Sequence, residues 1–388
     1  MRAGKWKEFY MEKAKIDGLQ MFSFMFLFQF GSLIVTGLGL EVKQNNWIAV
    51  LVVSGINILL ILLIYGPIYN RFPNLTLTGI FLENTGKIVG TVLSIIYNFY
   101  FILIAGFILR DTGDNMIKYL LPETPIEVVL LMGVLLISYS CFLGIEVFAR
   151  VAQLLFFIMI TLGIMGNFLV FASGIVDPIH LLPILEDGLF PLIKTVFPTI
   201  ISYSEMVVFF MILPYLNKPQ NGVRIGTLSV LFSGLSVSWT FALTIAVLGV
   251  YGTELADLPL LDTAQKINVG DFFQRMDPIV ILTLFIGLFV KLNIFFYAGV
   301  VGMAELFKKQ KHQPFILPAA IMIFVIAIVS VENEIEKKEL FKEKLPLFIE
   351  LPILIIIPCI LLVIIAIRGK WQKRKHLQPY SKGSMKDE

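Results

Sequence analysis

The stretch Phe190–Leu216, FPLIKTVFPTIISYSEMVVFFMILPYL, decides the fold, because it is long and apolar enough to span a membrane yet is interrupted at its middle. Pro198 disturbs the helical pattern, Ser202-Tyr203-Ser204 follows, and Glu205 then lies near mid-membrane depth. A charge there costs about 3 kcal/mol on insertion scales, and irregular backbone at that depth survives only where protein or a water-filled cavity surrounds it. The stretch therefore predicts half of a binding site at the membrane midplane. The alternative is a proline-kinked packing helix whose glutamate bonds to a neighbour.

The whole chain has the composition of an integral membrane protein. Of its 388 residues 57% are hydrophobic and 15% are charged, and the mean hydropathy is +0.85. Runs of about 20 apolar residues predict ten spans, approximately at 16–40, 46–69, 87–110, 125–143, 147–173, 190–216, 223–250, 278–306, 314–331 and 347–367. We expect a single transmembrane domain over 1–388 that ends in a basic tail over 368–388.

The distribution of basic residues predicts the orientation. With the N-terminus inside, twenty of the 31 lysines and arginines fall on the cytoplasmic side. Because cytoplasmic loops carry the excess of positive charge, both termini are expected in the cytoplasm. The net charge of +3 implies no nucleic-acid partner, and contacts with anionic lipid headgroups explain the basic tail. The first apolar run has no Ala-x-Ala-like cleavage site and is expected to remain as a span, whether translation starts at Met1 or Met11.

The first span contains the same kind of interruption as the sixth. Gln29, Gly31 and Ser32 lie near its middle, and Asp17 is suited to cap its start. Glycine and serine there would let the helix unwind and offer backbone amides to a ligand. The alternative is that these small residues only allow close helix packing. The interruption of the sixth span favours the unwound interpretation.

Two charges are predicted at mid-membrane, Glu205 in span 6 and Lys291 in span 8. Each costs roughly 2.5–3.5 kcal/mol if unpaired, so we expect mutual pairing or a shared aqueous cavity. In a transporter with inverted repeats, spans 1 and 6 flank the ligand and spans 3 and 8 complete the wall. Glu205 could then accept a ligand amine or carry a proton, and the Lys291 ammonium could replace a coupling sodium ion. A structural Glu–Lys bridge without a ligand role is the alternative.

The candidate ligand-binding residues come from these four spans. They are Gln29, Gly31, Ser32, Tyr97, Asn98, Phe101, Thr199, Ser202, Tyr203, Glu205, Lys291 and Phe295. The three histidines fall in separate connections, so no metal site is predicted. Without a nucleophile–base pair or a nucleotide loop, we expect neither catalysis nor a cofactor.

Four stretches carry a family resemblance. They are Ile16, Gln20 and then FQFGS in span 1; FPNLTLTGIFLENTGKIVGTVLSIIYNFYF at 72–101; DFFQRMDPI at 271–279; and FVKLNIFFYAGVVGMAELF at 289–307. Together they resemble the B subunit of nutrient germinant receptors of endospore-forming bacteria, a spore germination permease family within the amino acid–polyamine–organocation superfamily. That family often shows Pro-Phe-Gly-Glu at the break of span 6, whereas Ser202-Tyr203-Ser204 precedes Glu205 here.

The resemblance implies a fold, a place and partners. The fold is an all-α, ten-span, five-plus-five inverted repeat of the LeuT-like type, with broken helices 1 and 6. The place is the spore inner membrane, and the partners are an A-type membrane subunit, a lipoprotein C subunit and a small nutrient such as an amino acid or a sugar. We therefore expect a ligand-sensing subunit. The alternatives are a proton-coupled amino acid transporter, and a scaffold or ion-conducting subunit without a pocket of its own.

Overall fold

The structure, a computed structural model, describes residues 14–35, 40–186, 188–270, 273–274, 276–330, 340 and 344–376. Within these ranges the protein is helical, apart from turns, an isolated bridge at Ile16 and one short antiparallel hairpin, Asn268–Val269 with Phe273–Gln274. The α-helices are α1 (Gly18–Val35), α2 (Asn46–Leu60), α3 (Gly66–Arg71), α4 (Leu77–Thr85), α5 (Lys87–Tyr119), α6 (Ile126–Leu143), α7 (Ile145–Ala172), α8 (Leu189–Ser202), α9 (Gly222–Leu255), α10 (Pro259–Gln265), α11 (Asp277–Leu306), α12 (Ile316–Val329) and α13 (Ile357–His376).

Eight helical segments of the described chain are long and apolar enough to cross a membrane. They are Val42–Arg71, Lys87–Tyr119, Ile126–Leu143, Ile145–Ala172, Leu189–Met211, Pro219–Leu255, Asp277–Leu306 and Pro346–Arg368. The segment Gln313–Val329 is a shorter apolar helix, and α1 adds an apolar helix of 18 residues. Helices satisfy their backbone groups internally, as hydrocarbon requires. The prediction of an α-helical membrane protein is confirmed.

The predicted break in span 1 is wrong over the described residues. The helix α1 runs without interruption from Gly18 to Val35, through Gln29, Gly31 and Ser32. A Cβ atom on Gly31 would lie only 2.7–2.9 Å from the backbone of Gly287 in α11. Gly31 therefore allows two helices to touch, which is the packing alternative.

The start of span 1 is capped as predicted. The Gln20 N–H donates to Asp17 Oδ1 (2.8 Å), and the Asp17 N–H donates to Gln20 Oε1 (3.0 Å). This reciprocal arrangement is a capping box, with glutamine in the place of the third helical residue. The predicted span continues to residue 40, but residues 36–39 lie outside the described part of the chain.

The predicted interruption of span 6 is confirmed, although the proline does not cause it. Pro198 lies inside α8, and the α-helix ends four residues later, at Ser202. After two turn residues, Glu205 begins a 3-10 helix that extends to Met211. The Ser204 hydroxyl donates to the Ile200 carbonyl at 2.8 Å. Serine hydroxyls compete in this way with the helical ladder, which explains why the break follows the serines.

The far end of span 6 is tied to the chain before α1. The Ile16 N–H donates to the Tyr215 carbonyl, and the Asn217 N–H donates to the Ile16 carbonyl, both at 2.9 Å. The Tyr297 hydroxyl of α11 donates to the Tyr215 hydroxyl at 3.3 Å. The start of span 1 and the second half of span 8 are therefore held together at the far end of span 6.

The mixture of glutamate and lysine in Glu332–Glu350 predicts a solvated outer loop, and the start of the last span corrects this prediction. A π-helix covers Pro346–Ile356 and continues into α13. Its Glu350 side chain is only 2% exposed, because this first part of the span packs against α8. The correction concerns Glu350, since residues 331–339 and 341–343 lie outside the described part.

Candidate functional site

The predicted pair of charges forms an ion pair in the interior. The Lys291 Nζ lies 2.7 Å from Glu205 Oε2, and the two side chains are 11% and 5% exposed. The break in span 6 places Glu205 at the first position of the 3-10 segment, and the uninterrupted α11 places Lys291 opposite it. In a medium of low dielectric constant such a pair is strong once formed, and removing one partner leaves an expensive buried charge.

Aromatic rings surround the ammonium group of Lys291. Its Nζ lies 5.6 Å from the centroid of Phe28 in α1 and 6.0 Å from that of Phe295 in α11. Phe28 also contacts Phe209 of the 3-10 segment edge-on, with centroids 5.2 Å apart. Ring faces attract cations, by about 2 kcal/mol or more when the cation is desolvated. Spans 1, 6 and 8 therefore meet at Lys291, as predicted.

Side chains from other spans satisfy the carbonyl groups that the break exposes. The Tyr65 hydroxyl donates to the Leu354 carbonyl at 2.6 Å and lies 3.1 Å from the Ser204 carbonyl, which joins spans 2, 6 and 10. The Asn57 amide donates to the Ile200 carbonyl at 3.4 Å. Because an unpaired backbone group costs several kcal/mol in a bilayer, these contacts make the break tolerable.

Sequence reasoning missed a second carboxyl group, that of Glu350. Its Oε2 accepts a hydrogen bond from the Ser202 hydroxyl at 2.6 Å, at the end of α8. Glu350 also lies close enough to Glu205 and Lys291 to interact with them electrostatically. A signal was present, since Glu350 lies in the apolar run LPLFIELPILIIIP, between Pro346 and Pro352. The prediction placed it at the edge of a loop because it lies near the start of the span.

The predicted residues of span 6 lie around the break, but their side chains contact different parts of the protein. Ser202 bonds to Glu350, whereas the buried Tyr203 hydroxyl lies 3.4 Å from Ser233 Oγ in α9. Thr199 is half-buried, and its carbonyl accepts the Tyr203 N–H at 2.9 Å. Ser202 therefore faces the charged cluster, and Tyr203 is directed towards span 7.

The predicted residues of span 3 pack beside the charges. Phe101 lies 6.2 Å from Phe295 between ring centroids, and the Tyr97 hydroxyl donates to the Ile353 carbonyl in the last span. With its amide turned so that both groups are satisfied, Asn98 donates to the Gly299 carbonyl (2.8 Å) and accepts from the Met303 N–H (3.0 Å). Asn98 therefore joins α5 to α11.

The predicted residues of span 1 contribute less than expected. Gly31 contacts Gly287, and the Ser32 side chain lies outside the described part of the structure. Gln29 is fully buried, and neither of its amide atoms has a hydrogen-bond partner among the described residues. The residue of α1 that reaches the charged pair is Phe28, an aromatic that the sequence analysis left out.

Two cavities are lined in part by residues that follow the break in span 6. One, with an empty volume of about 190 Å³, is lined by residues that include Tyr97, Asn98, Phe101 and Gly302. The other, of about 340 Å³, lies between spans 1, 2, 6 and 7. Neither of these two cavities is lined by Glu205 or Lys291, so the pair is closed off from both of them. Among the described residues no group of three or more His, Cys, Asp or Glu side chains is placed to hold a metal ion.

The connector between spans 2 and 3 reaches a further buried carboxyl group. Thr76 caps α4, accepting the Gly79 N–H at 3.3 Å, and its hydroxyl donates to Glu305 Oε2 of α11 at 2.8 Å. The short helix α4 of this connector packs against α5.

Replacing Thr76 by valine is expected to destabilise the protein by about 1–3 kcal/mol, because it removes a helix cap and a hydrogen bond to a buried carboxyl group. Thermal unfolding of the purified protein in detergent measures this effect. Thr85→Val is the matched control, because among the described residues the Thr85 hydroxyl bonds to the Phe81 carbonyl of its own helix alone. Equal midpoints for the two variants would contradict a role of Thr76 in joining α4 to α11.

The comparisons with known proteins all match proteins described as spore germination proteins. The sequence matches the family described as spore germination protein over residues 15–336, which includes Glu205 and Lys291 and ends before Glu350. Spore germination protein KB of Bacillus subtilis (strain 168) is 34% identical over 367 residues, covering 94% of this chain and 97% of the relative. Spore germination protein YndE of the same strain is 26% identical over 339 residues, covering 86% and 89%. Spore germination protein B2 of that strain is 25% identical over 280 residues, covering 71% and 75%.

Proposed function

The chain belongs to the spore germination protein family, and from that premise we propose that it is the ligand-sensing membrane subunit of a spore nutrient germinant receptor. The observation that carries the proposal is the interrupted span 6, where the buried pair Glu205–Lys291 meets Phe28 of span 1 and Phe295 of span 8. Charges retained inside a membrane mark ligand or ion pathways by default.

The proposed fold is the ten-span inverted repeat of the LeuT-like type. The eight long spans support it when α1 and Gln313–Val329 are counted as the first and ninth. The repeats would cover 16–173 and 190–367. The halves differ at their first helices, since span 6 is interrupted and α1 is continuous where it is described.

The proposed ligand site lies between spans 1, 3, 6 and 8, next to the ion pair. A polar nutrient can contact Glu205 or Lys291 only by competing with an interaction that is strong in the interior. Its binding is therefore coupled to a rearrangement of the break. A ligand that binds the rearranged state more tightly shifts the population towards that state, and the partner subunits read the shift as the germination signal.

The proposed partners are an A-type membrane subunit and a lipoprotein C subunit, in the spore inner membrane, with both termini of this chain in the cytoplasm. The names of the relatives support a role in germination. The excess of basic residues on the proposed inner side supports the orientation. Affinity purification of the tagged chain from spore membranes is expected to recover both partner types.

Proton-coupled amino acid transport is the second candidate function, and the observation that favours it is the second buried carboxyl group, Glu350. Uptake of labelled amino acids into membrane vesicles separates the two functions. Sustained accumulation driven by a proton gradient would favour transport, and saturable binding without accumulation would favour sensing.

Spores that lack this chain are expected to lose germination in response to one nutrient or nutrient class and to keep the response to others. The measurement is the fall in optical density of spore suspensions, with one nutrient tested at a time. The wild-type gene, returned at its own locus, is expected to restore the lost response. Unchanged germination with every nutrient would contradict the proposed function.

A further inference from the structure

The charges around the break in span 6 are unequal in number. Lys291 is paired with Glu205 at 2.7 Å, whereas Glu350 has no ion pair among the described residues, although it is only 2% exposed. Within the described part of the chain, the Glu350 carboxyl group has one hydrogen bond, from the neutral Ser202 hydroxyl. Buried carboxylates are normally paired with a cation, because burial of an isolated one is very costly. A buried carboxyl group without a cation holds its proton, and loss of that proton from Glu350 would let the two carboxyl groups accept one positive charge more than Lys291 supplies.

A third buried polar group lies near the two carboxyl groups. The Tyr100 hydroxyl is fully buried and has no hydrogen-bond partner among the described residues, although it lies within electrostatic range of both Glu350 and Glu205. A buried hydroxyl without a partner costs about 1–3 kcal/mol. Tyr100 also contacts Phe295 edge-on, with ring centroids 6.4 Å apart. The carboxyl groups are therefore accompanied by a hydroxyl acceptor and by aromatic rings.

We propose that Glu350, together with Glu205 and the Tyr100 hydroxyl, forms a subsite for the ammonium group of an amine nutrient. The inference deepens the proposed function and rests on it, because the site is the same. An ammonium group has three N–H donors, and this cluster offers two carboxyl groups and a hydroxyl oxygen as acceptors. Nearby rings favour an organic cation, whose positive charge is attracted to their faces.

The subsite would make Glu350 a determinant of specificity. A ligand without the amine leaves the cluster with two carboxyl groups and one lysine, and it gains nothing from Glu350. An amine ligand gains a charge-assisted hydrogen bond at low dielectric, which is roughly twice as strong as a neutral one. Spores that respond through this chain should therefore distinguish an amino acid from the same molecule without its amine.

The test uses spores of the wild type and of E350Q and measures the half-maximal concentration for germination. The probes are the twenty standard L-amino acids, the carboxylic acids that lack the amine, and glucose and fructose as neutral nutrients. We expect at least one amino acid to act through this chain, and E350Q to raise its half-maximal concentration about 10- to 100-fold. The corresponding acid without the amine is expected to be inactive.

E305Q is the matched control, because Glu305 is a buried carboxyl group that bonds to Thr76 away from the cluster. Its half-maximal concentration is expected to stay near that of the wild type at equal protein levels. Y100F is the second variant, to be used if E350Q does not accumulate, since it removes only a hydroxyl that lacks a partner. We expect Y100F to raise the half-maximal concentration about 3- to 10-fold.

Three outcomes would overturn the subsite. The first is a wild-type response in E350Q or, where E350Q is absent from the membrane, in Y100F. The second is a response of this chain to sugars alone. The third is a response that requires sodium ions but no amine. A sugar response through this chain would leave nutrient sensing intact. A deletion without effect on any nutrient would instead contradict the proposed function itself.

Discussion

Spores in which Lys291 is replaced by methionine are expected to lose the response to the nutrient that this chain senses. Methionine approximates the length and volume of the lysine stem without its charge, so Phe28 and Phe295 keep a side chain to pack against. Glu205, however, loses its counterion at 2.7 Å. Breaking a buried pair in this way costs about 3–5 kcal/mol, and about 1.4 kcal/mol changes an equilibrium tenfold. The balance between closed and rearranged states should therefore shift more than a hundredfold.

The control for this variant is Lys194→Met. Lys194 lies in α8, in the same span as Glu205, but its side chain is exposed at the surface of the bundle. Immunoblots of spore membranes establish that both proteins insert in normal amounts. We expect a normal response from K194M and none from K291M. A full response from K291M at normal protein levels would contradict a sensing role for Lys291.

Replacing Gly31 by alanine is expected to cause a large loss of stability, although it adds only one methyl group. The new Cβ would lie 2.7–2.9 Å from backbone atoms of Gly287, a distance that real Cβ contacts do not show. Backbone cannot rotate away as a side chain can, so α1 and α11 must separate. Overpacking of this kind costs typically 1–3 kcal/mol, and we expect the upper end, about 3 kcal/mol. The separation also moves Phe28 away from Lys291, so the nutrient response should weaken.

Thermal unfolding in detergent measures the change in stability. The reciprocal variant Gly287→Ala should behave alike, because its Cβ would lie 2.7 Å from the Gly31 Cα. Gly163→Ala in α7 is the matched control, because no atom of a neighbouring element lies within 4 Å of the added Cβ. The higher helix propensity of alanine should leave the stability of this variant unchanged or raise it by up to about 1 kcal/mol. Equal midpoints for G31A and G163A would show that the contact between α1 and α11 does not hold these helices in place.

The charged pair and the break of span 6 could be predicted from the sequence, because both follow from the cost of polar groups in hydrocarbon. A glutamate and a lysine in the middle of apolar spans must find partners, and each was the partner expected for the other. The serines before Glu205 indicated the break more accurately than Pro198 did, since their hydroxyls compete with the helical ladder.

The role of Gly31 could not be predicted from the sequence in the same way. Glycine permits both an unwound helix and a close approach of two helices, and the choice depends on which residue lies opposite. Here that residue is Gly287, 256 positions later in the chain. No local pattern in span 1 contains this information.

Glu350 was missed because of where it lies in its span. Close to the first residues of an apolar run, a carboxyl group usually faces solvent. Here a π-helix begins the span, and packing against α8 carries Glu350 to Ser202. Charge positions near span ends therefore depend on tertiary packing, whereas charges at mid-span can be assigned from hydropathy alone.

Germination of spores that carry the double variant E205Q/K291M tests the central claim most directly. Removing both charges leaves neither member of the pair without its partner, and replacing a buried pair by neutral side chains is often neutral for stability or favourable. If the pair senses the nutrient, the double variant should reach normal levels in the membrane and remain unresponsive. A normal response would contradict the account and would make Glu205–Lys291 a purely structural bridge.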